Sequence, residues 1–318
     1  MRPRLLDLFC GAGGASTGLA AFGDLVGFDI DADACAAHQI NGHHTVRCDL
    51  NKWPWRGTCD LLWASPPCQP FSSAGDRKGT EDSRDGIPAF LRAVDELRPP
   101  IVVMENVPGL TNKKHLTYRG MFTTALLRMG YDYQSRILNC ADYGVPQTRE
   151  RFILIARCDG GRIRWPQRTH SQAGIGVERW VSMADALGWG MTVRPYLTIA
   201  SSRTTGGPDK EKVGGSGARA QLYAEQAAGR WHFARPSTTI AADSRVQPPG
   251  HKRNSGDPPG KYEGRAGENA IRITVEQAAT LQGFPLGYRF VGSKTSQFQQ
   301  IGNAVPPALA RLVVEALL

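Results

Sequence analysis

The chain has 318 residues and a net charge of +9, with a pI of about 9.3. That length allows one large domain or two modest ones around a sizeable core, and no apolar stretch is long enough to span a bilayer. Of the 38 basic residues, 29 are arginine, which suits phosphates and guanine edges but also follows from a GC-rich genome.

In chain order, strand-like and helix-like segments alternate through residues 4–160. Leu5-Leu6-Asp7-Leu8-Phe9 reads as a buried strand. It runs into Gly11-Ala12-Gly13-Gly14 and a helix through residues 18–21. A second strand, Leu25-Val26-Gly27-Phe28-Asp29, ends in an acid, and a helical stretch follows over 32–39. Thr45-Val46-Arg47-Cys48-Asp49 is a third candidate, again ending in an acid. Leu61-Leu62-Trp63-Ala64, Ile101-Val102-Val103-Met104 and residues 151–156 complete the set. This alternation predicts an α/β fold with a doubly wound, mostly parallel sheet.

The pattern changes after Trp165. Residues 166–270 are rich in Gly, Pro, Ser, Thr and Arg and carry 14 basic against 9 acidic side chains, a net +5. Thr204-Thr205-Gly206-Gly207-Pro208 and Gly214-Gly215-Ser216-Gly217 read as loops, and 247–267 as one long loop. Regularity resumes near Ile271, where Thr274 is placed to cap a helix through Leu281. The apolar spacing of Leu309, Leu312, Val313, Ala316 and Leu317 makes the tail an amphipathic helix. The division is therefore 1–165 with 271–318 as one domain and 166–270 as a second.

Seven cysteines stand at 10, 35, 48, 59, 68, 140 and 158, an odd number without a CxxC pair. That predicts free thiols in a reduced, cytoplasmic compartment and no zinc site. His43-His44 has no second pair at metal-ligand spacing and reads as surface or loop. Asp7 interrupts the short apolar run at the start, so no secretion signal is expected there.

Ser65-Pro66-Pro67-Cys68-Gln69-Pro70-Phe71-Ser72 follows the apolar run 61–64 directly. Prolines stop a strand, so the Cys68 thiol belongs to a loop at a strand's carboxyl end, where open α/β sheets place ligands. Alone, it reads equally as a small buried cysteine in a turn. Phe9-Cys10-Gly11-Ala12-Gly13-Gly14 lets a ligand approach the backbone at a helix start. It is not the dinucleotide GxGxxG, because the third glycine is displaced, and this disfavours a nicotinamide-dependent dehydrogenase. Asp29 and Asp49 end later strands and face the same crevice, or else serve as helix-cap and loop acids. Glu105 ends another strand, 37 positions after Cys68, and is either its neighbour or a structural ion-pair partner. Arg149 and Arg151, two apart, point one way. They fix an anion or a carbonyl oxygen, or lie on an exposed strand edge.

Together these residues resemble the DNA (cytosine-5) methyltransferase family. The matching stretches are Asp7-Leu8-Phe9-Cys10-Gly11-Ala12-Gly13-Gly14, Pro66-Pro67-Cys68-Gln69-Pro70-Phe71-Ser72, Glu105-Asn106-Val107, Gln147-Thr148-Arg149-Glu150-Arg151, Arg235-Pro236-Ser237-Thr238-Thr239-Ile240, Leu281-Gln282-Gly283-Phe284-Pro285 and Gly302-Asn303-Ala304-Val305-Pro306-Pro307. They occur in the family's order and cover the chain except about 166–232 and 243–270. The resemblance implies a Rossmann-like methyltransferase domain that binds S-adenosylmethionine, with 166–270 as a smaller, irregular target-recognition domain.

It also implies roles. Cys68 matches the nucleophile at cytosine C6, Glu105 the acid at N3, and Arg149 and Arg151 the pair supporting the cysteine loop and the base's O2. Phe9, Gly11, Gly13, Asp29, Ile30, Asp49, Leu50, Pro67, Asn303 and Ala304 match cofactor-binding positions. Of these, Phe9 and Ile30 flank the adenine, Asp29 holds the ribose and Asp49 the adenine amino group. Residues 73–87, with Gly75, Gly79 and Gly86, match a mobile loop that closes over DNA. The implied partner is duplex DNA, bound without metal or membrane by a monomeric, cytoplasmic, nucleoid-associated enzyme of bacterial or phage origin, as in restriction–modification systems. Two other readings stand beside it: a tRNA (cytosine-5) methyltransferase on the same fold, and a catalytically silent DNA-binding module.

Overall fold

The computed structural model describes residues 2–67, 85–188 and 273–318, together with the short strand pairs at 196–197, 200–201, 244–245 and 270–271. A seven-stranded sheet runs through it. Its strands are β1 (Arg4–Leu8), β2 (Asp24–Asp29), β3 (His44–Arg47), β4 (Leu61–Ala64), β5 (Ile101–Asn106), β6 (Asp132–Asn139) and β7 (Glu150–Arg157). The order across the sheet is β3-β2-β1-β4-β5-β7-β6. The first five are parallel, whereas β7 runs antiparallel to both β5 and β6. This is the expected doubly wound α/β architecture: β1, β2 and β3 run outward in turn, the chain returns to the other side of β1 with β4, and β7 turns back between β5 and β6.

The central strands are apolar on both faces because both faces are covered. Leu62, Ala64, Val102, Met104, Phe152 and Leu154 point into one core, where Phe90 and Val94 of α3 (Ile87–Leu97) and Phe122 and Leu126 of α4 (Leu116–Arg128) meet them. Leu61, Trp63, Val103, Ile153 and Ile155 alternate to the other side. There they pack on Leu19 of α1 (Gly14–Leu19) and on Leu309 and Val313 of the C-terminal helix Pro307–Glu315. α1 lies close against this tail, since a Cβ at Gly14 would collide with the Val305 carbonyl oxygen and the Ala304 side chain, and α2 (Ala32–Ile40) joins β2 to β3.

A third, smaller cluster joins Met183 of α5 (Met183–Leu187) to α6 (Val275–Gln282) and α7 (Lys294–Asn303), with Leu281, Phe284, Phe298 and Ile301 at its centre. The tail helix is then α8. Thr274 caps α6 as expected, in a reciprocal capping box with Gln277. β8 (His170–Ser171) and β9 (Glu178–Arg179) form a small pair outside the main sheet.

One expectation needs correcting. The third strand stops at Arg47, so Asp49 lies two residues beyond it. His43 lies in the loop before β3, within its surface-or-loop reading. It is half-buried, stacks on His38 with ring centroids 4.7 Å apart, and bonds to Thr17 through Nε2 at 3.2 Å. The expected loop at 247–267 and the glycine loops at 204–208 and 214–217 lie outside the described residues. No helix among the described residues is long and apolar enough to cross a membrane.

Candidate active site

The parallel strands β1 to β5 all deliver their carboxyl ends to one edge of the sheet, and β7, running the opposite way, delivers its start to that same edge. Its register sets Ile153 opposite Glu105 and Phe152 opposite Asn106. Arg151 therefore stands beside Glu105, and Arg149 reaches the same edge of the sheet, because of the strand reversal, although both are more than forty positions away in sequence.

Arg151 Nε lies 2.8 Å from Glu105 Oε1, and both side chains are buried. Arg149 is completely buried and donates from Nη2 to the Gly302 carbonyl oxygen at 2.9 Å. The exposed strand edge is thereby excluded as a reading of these arginines. Asn106, next to Glu105, donates from Nδ2 to the Pro66 carbonyl oxygen at 3.2 Å. Pro67 follows, and residues 68–84, Cys68 among them, lie outside the described residues. The chain entering Cys68 is thus tied to the strand end that carries Glu105. Gly86, where description resumes, fits closely between Phe9, Pro66 and Pro67; a Cβ there would approach the Phe9 ring at 2.9 Å.

The neighbouring corner is built on the glycine turn. Phe9 has φ +58°, a left-handed conformation that non-glycine residues rarely adopt, and such strain concentrates at functional sites. Cys10 N–H donates to the Phe28 carbonyl oxygen at 3.1 Å, which locks the turn to β2. Asp29 accepts from Gly11 N–H at 2.8 Å through Oδ2 and from Asp31 N–H at 2.9 Å through Oδ1. Burial pushes its carboxyl above the ordinary range, against the downward pull of those backbone N–H groups. Ile30 is 63% exposed although apolar. Gly13 is buried against His38, His43 and Tyr288.

Asp49 sits at the rim, with Oδ1 accepting from Asn51 N–H at 3.0 Å and Oδ2 3.3 Å from Lys52 Nζ. The Asn51 N–H bond chiefly holds its carboxyl below the usual range. Leu50 is buried in the core, and its carbonyl accepts from Arg92 Nη2 at 2.6 Å. Asn303 is exposed at the end of α7, and Ala304 faces Gly14.

Several partners were not singled out from the sequence. Gln147 Nε2 donates to Gln282 Oε1 at 2.7 Å, and Gln282 Nε2 to the Ala304 carbonyl oxygen at 2.5 Å, so the arginine loop and the 302–305 segment are stitched together. Beneath the glycine turn, Ser16 donates from its hydroxyl to Asp7 Oδ2 at 2.6 Å. The Ser16 hydroxyl oxygen also lies 2.7 Å from His38 Nε2, and His38 Nδ1 lies 2.6 Å from Thr45 Oγ1. Burial pushes Asp7 up to about 7 and His38 down to about 3. Only spacing along a strand could have flagged Asp7, an acid in an apolar run. Among the described residues no group of three or more His, Cys, Asp or Glu side chains is placed to hold a metal.

A family model for C-5 cytosine-specific DNA methylases matches residues 3–318. The chain belongs to that family. The chain is 31% identical to the Type II methyltransferase M.AplI of Arthrospira platensis over 98% of its own length and 85% of that protein's. It is 30% identical to the Type II methyltransferase M1.HphI of Haemophilus parahaemolyticus over 98% and 86%. Among solved structures, the Entamoeba histolytica methyltransferase EhMeth superposes with a TM-score of 0.63 at 16% identity, covering 100% of this chain and 98% of the other. At that identity the likeness speaks to the fold alone. A C-5 cytosine-specific DNA methylase is an enzyme, so the silent DNA-binding module is set aside.

Proposed function

We propose that this methylase transfers a methyl group from S-adenosylmethionine to C5 of a cytosine swung out of duplex DNA, through a transient bond between Cys68 and C6. One observation carries the reading most: the buried Arg151–Glu105 pair stands at the strand end that is itself hydrogen-bonded, through Asn106, to the chain entering Cys68.

The glycine corner fits the cofactor. Gly11 has φ +53°, and a side chain built there would meet nothing within 4 Å, so the backbone borders open space. Asp29 is fixed next to that turn by Gly11 N–H and Asp31 N–H, and Ile30, the next residue, carries an uncovered apolar side chain. Phe9, Gly13, Asp49, Leu50, Pro67, Asn303 and Ala304 complete the set of residues that would hold it. S-adenosylmethionine, when bound, supplies an electrophilic methyl group.

Cytosine C5 is too weak a nucleophile to accept that group directly. The Cys68 thiolate forms the Sγ–C6 bond, and the displaced π pair makes C5 nucleophilic. The Glu105 carboxyl, oriented by Arg151, gives a proton to N3 as the thiolate adds at C6 and takes it back when the ring is restored, so the adduct carries no ring anion. Once C5 is alkylated, its proton leaves to solvent and the returning electron pair expels Cys68 as thiolate. Five of the six other thiols support this choice of nucleophile, the exception being the exposed Cys158. Burial holds Cys10, Cys35, Cys48, Cys59 and Cys140 above their ordinary range, Cys140 up to about 12 despite Arg149 and Arg151 nearby, so each stays a poorly reactive thiol. A base inside a stacked duplex cannot reach such a site, so it must be flipped out.

The segment 166–270 reads the target sequence, on its +5 charge and its lack of catalytic motifs. Arg179 lies exposed in β9, whereas Arg194, Arg203 and Arg219 lie outside the described residues. The test is bisulfite sequencing of host DNA after expression of the chain, with duplex DNA and tRNA compared as purified substrates. Cytosine-5 methylation at one recurring duplex sequence is expected. Methylation confined to tRNA, or none, contradicts the proposal.

A further inference from the structure

A four-residue turn, Cys140–Tyr143, joins β6 to the loop that carries Arg149. Two different parts of the molecule are fastened to it. On the catalytic side, Cys140 N–H donates to the Arg149 carbonyl oxygen at 2.8 Å, and the Cys140 thiol feels both guanidiniums and Glu105. On the other side stands Asp142, buried despite its charge. Its Oδ1 accepts from the Trp180 indole N–H at 3.0 Å, and its Oδ2 lies 3.1 Å from Arg168 Nε. Its own carbonyl accepts from Thr169 N–H at 3.1 Å.

Residues 168–180 are themselves a closed unit. Glu178 N–H donates to the Thr169 carbonyl at 3.0 Å and Trp180 N–H to the Ser171 carbonyl at 3.0 Å. His170 packs on Gly144, where a Cβ would approach its ring at 2.9 Å. Three of the four anchors of this unit thus converge on one carboxylate-bearing residue, and that residue shares its turn with the backbone that seats Arg149.

We infer that Asp142 is a positioning residue that couples the sequence-reading segment to the arginine loop, so that engagement of the correct DNA sequence is transmitted to the catalytic pair. This rests on the reading of 166–270 as the recognition region. A buried carboxylate holding an indole N–H and a guanidinium is a stiff connection, because losing either partner leaves the carboxylate underpaired. A flexible tether would let the recognition segment dock without moving the arginine loop.

The test compares methylation rates at the cognate duplex and at duplexes differing by one base pair, for the full-length wild type, Asp142→Ala, Asp142→Asn, Arg168→Ala and Trp180→Phe. Affinity for S-adenosylhomocysteine is measured alongside by calorimetry. Asp142→Ala should lower kcat on the cognate site and reduce discrimination against single mismatches by about tenfold or more, the effect of one lost charge-assisted hydrogen bond. Its cofactor affinity should stay within about twofold, a smaller change than any such bond produces. Arg168→Ala and Trp180→Phe, whose changes leave the turn intact, should reproduce part of the loss, and Asp142→Asn should lie between. Unchanged discrimination in Arg168→Ala, Trp180→Phe and Asp142→Ala overturns the inference. So does an equal fall of cofactor affinity and of all methylation rates in Asp142→Ala, which is the mark of a merely structural residue. Failure of the wild type to methylate any duplex refutes the proposed function itself and takes this inference with it.

Discussion

Arg151 and Glu105 form a buried ion pair, 2.8 Å from Nε to Oε1, between two strands that run in opposite directions. A carboxyl buried beside an arginine is oriented and held; without that partner it would be an isolated polar group in the core. Glu105→Gln keeps the shape and removes the acid. It should lower turnover on the order of 10²–10⁴-fold while DNA affinity changes little. A variant within about threefold of wild type, far below the usual acid–base contribution, would make Glu105 structural. Arg151→Ala should cost about 3–5 kcal/mol of stability by leaving the carboxylate unpaired, and lysine should rescue only part, lacking the guanidinium fork.

Asp29 reaches back to the glycine turn through Gly11 N–H and onward to Asp31 N–H. Asp29→Ala should weaken S-adenosylmethionine binding by about tenfold or more, the usual effect of losing a charge-assisted bond. The methylated sequence should not change. Calorimetry with unaltered cofactor affinity would return Asp29 to a backbone-tying acid.

Asp7 is fully buried, and its Oδ1 has no partner among the described residues. Burial raises its pKa from 3.8 to about 7, so the folded chain keeps the proton that the unfolded chain gives up. The sign follows from linkage. The contribution is greatest below about pH 4 and is lost as pH rises through about 7, on the order of a few kcal/mol in total. Asp7→Asn should flatten this decline. Denaturant midpoints of both proteins between pH 5 and 8 check it; parallel curves would mean that Asp7 carries no such titration.

Gly14 lies where α1 meets the 304–305 backbone. Gly14→Ala has to move a main-chain carbonyl, whereas Gly11→Ala meets open space and only suffers its left-handed φ. Gly11→Ala should therefore cost about 1–2 kcal/mol, and Gly14→Ala clearly more. Thermal unfolding of the pair decides; the reverse order would remove the close approach from the account.

The sheet was legible because buried parallel strands read as apolar runs bounded by glycine, proline or acid. β6 was not named, since it is an edge strand with mostly exposed residues from Asp132 to Arg136 and no clean alternation. α7 was missed for a similar reason: Lys294–Asn303 is polar except for Phe298 and Ile301. In the site, residue types and their chain order pointed to Glu105 and Arg151, but not to the strand reversal that makes them neighbours. Asp7, His38 and Asp142 act through partners 7 to 38 positions away, and no local pattern encodes such pairings.

The central claim is the Cys68–C6 bond. A duplex carrying 5-fluorocytosine at the target position should trap the enzyme in the presence of S-adenosylmethionine, because fluorine cannot leave as a proton does. Peptide mapping of the denaturation-resistant adduct should then find the modified base on Cys68, and Cys68→Ala should form none while still binding cofactor. An adduct on any other residue, or Cys68→Ala that methylates DNA at the wild-type rate, would contradict the account.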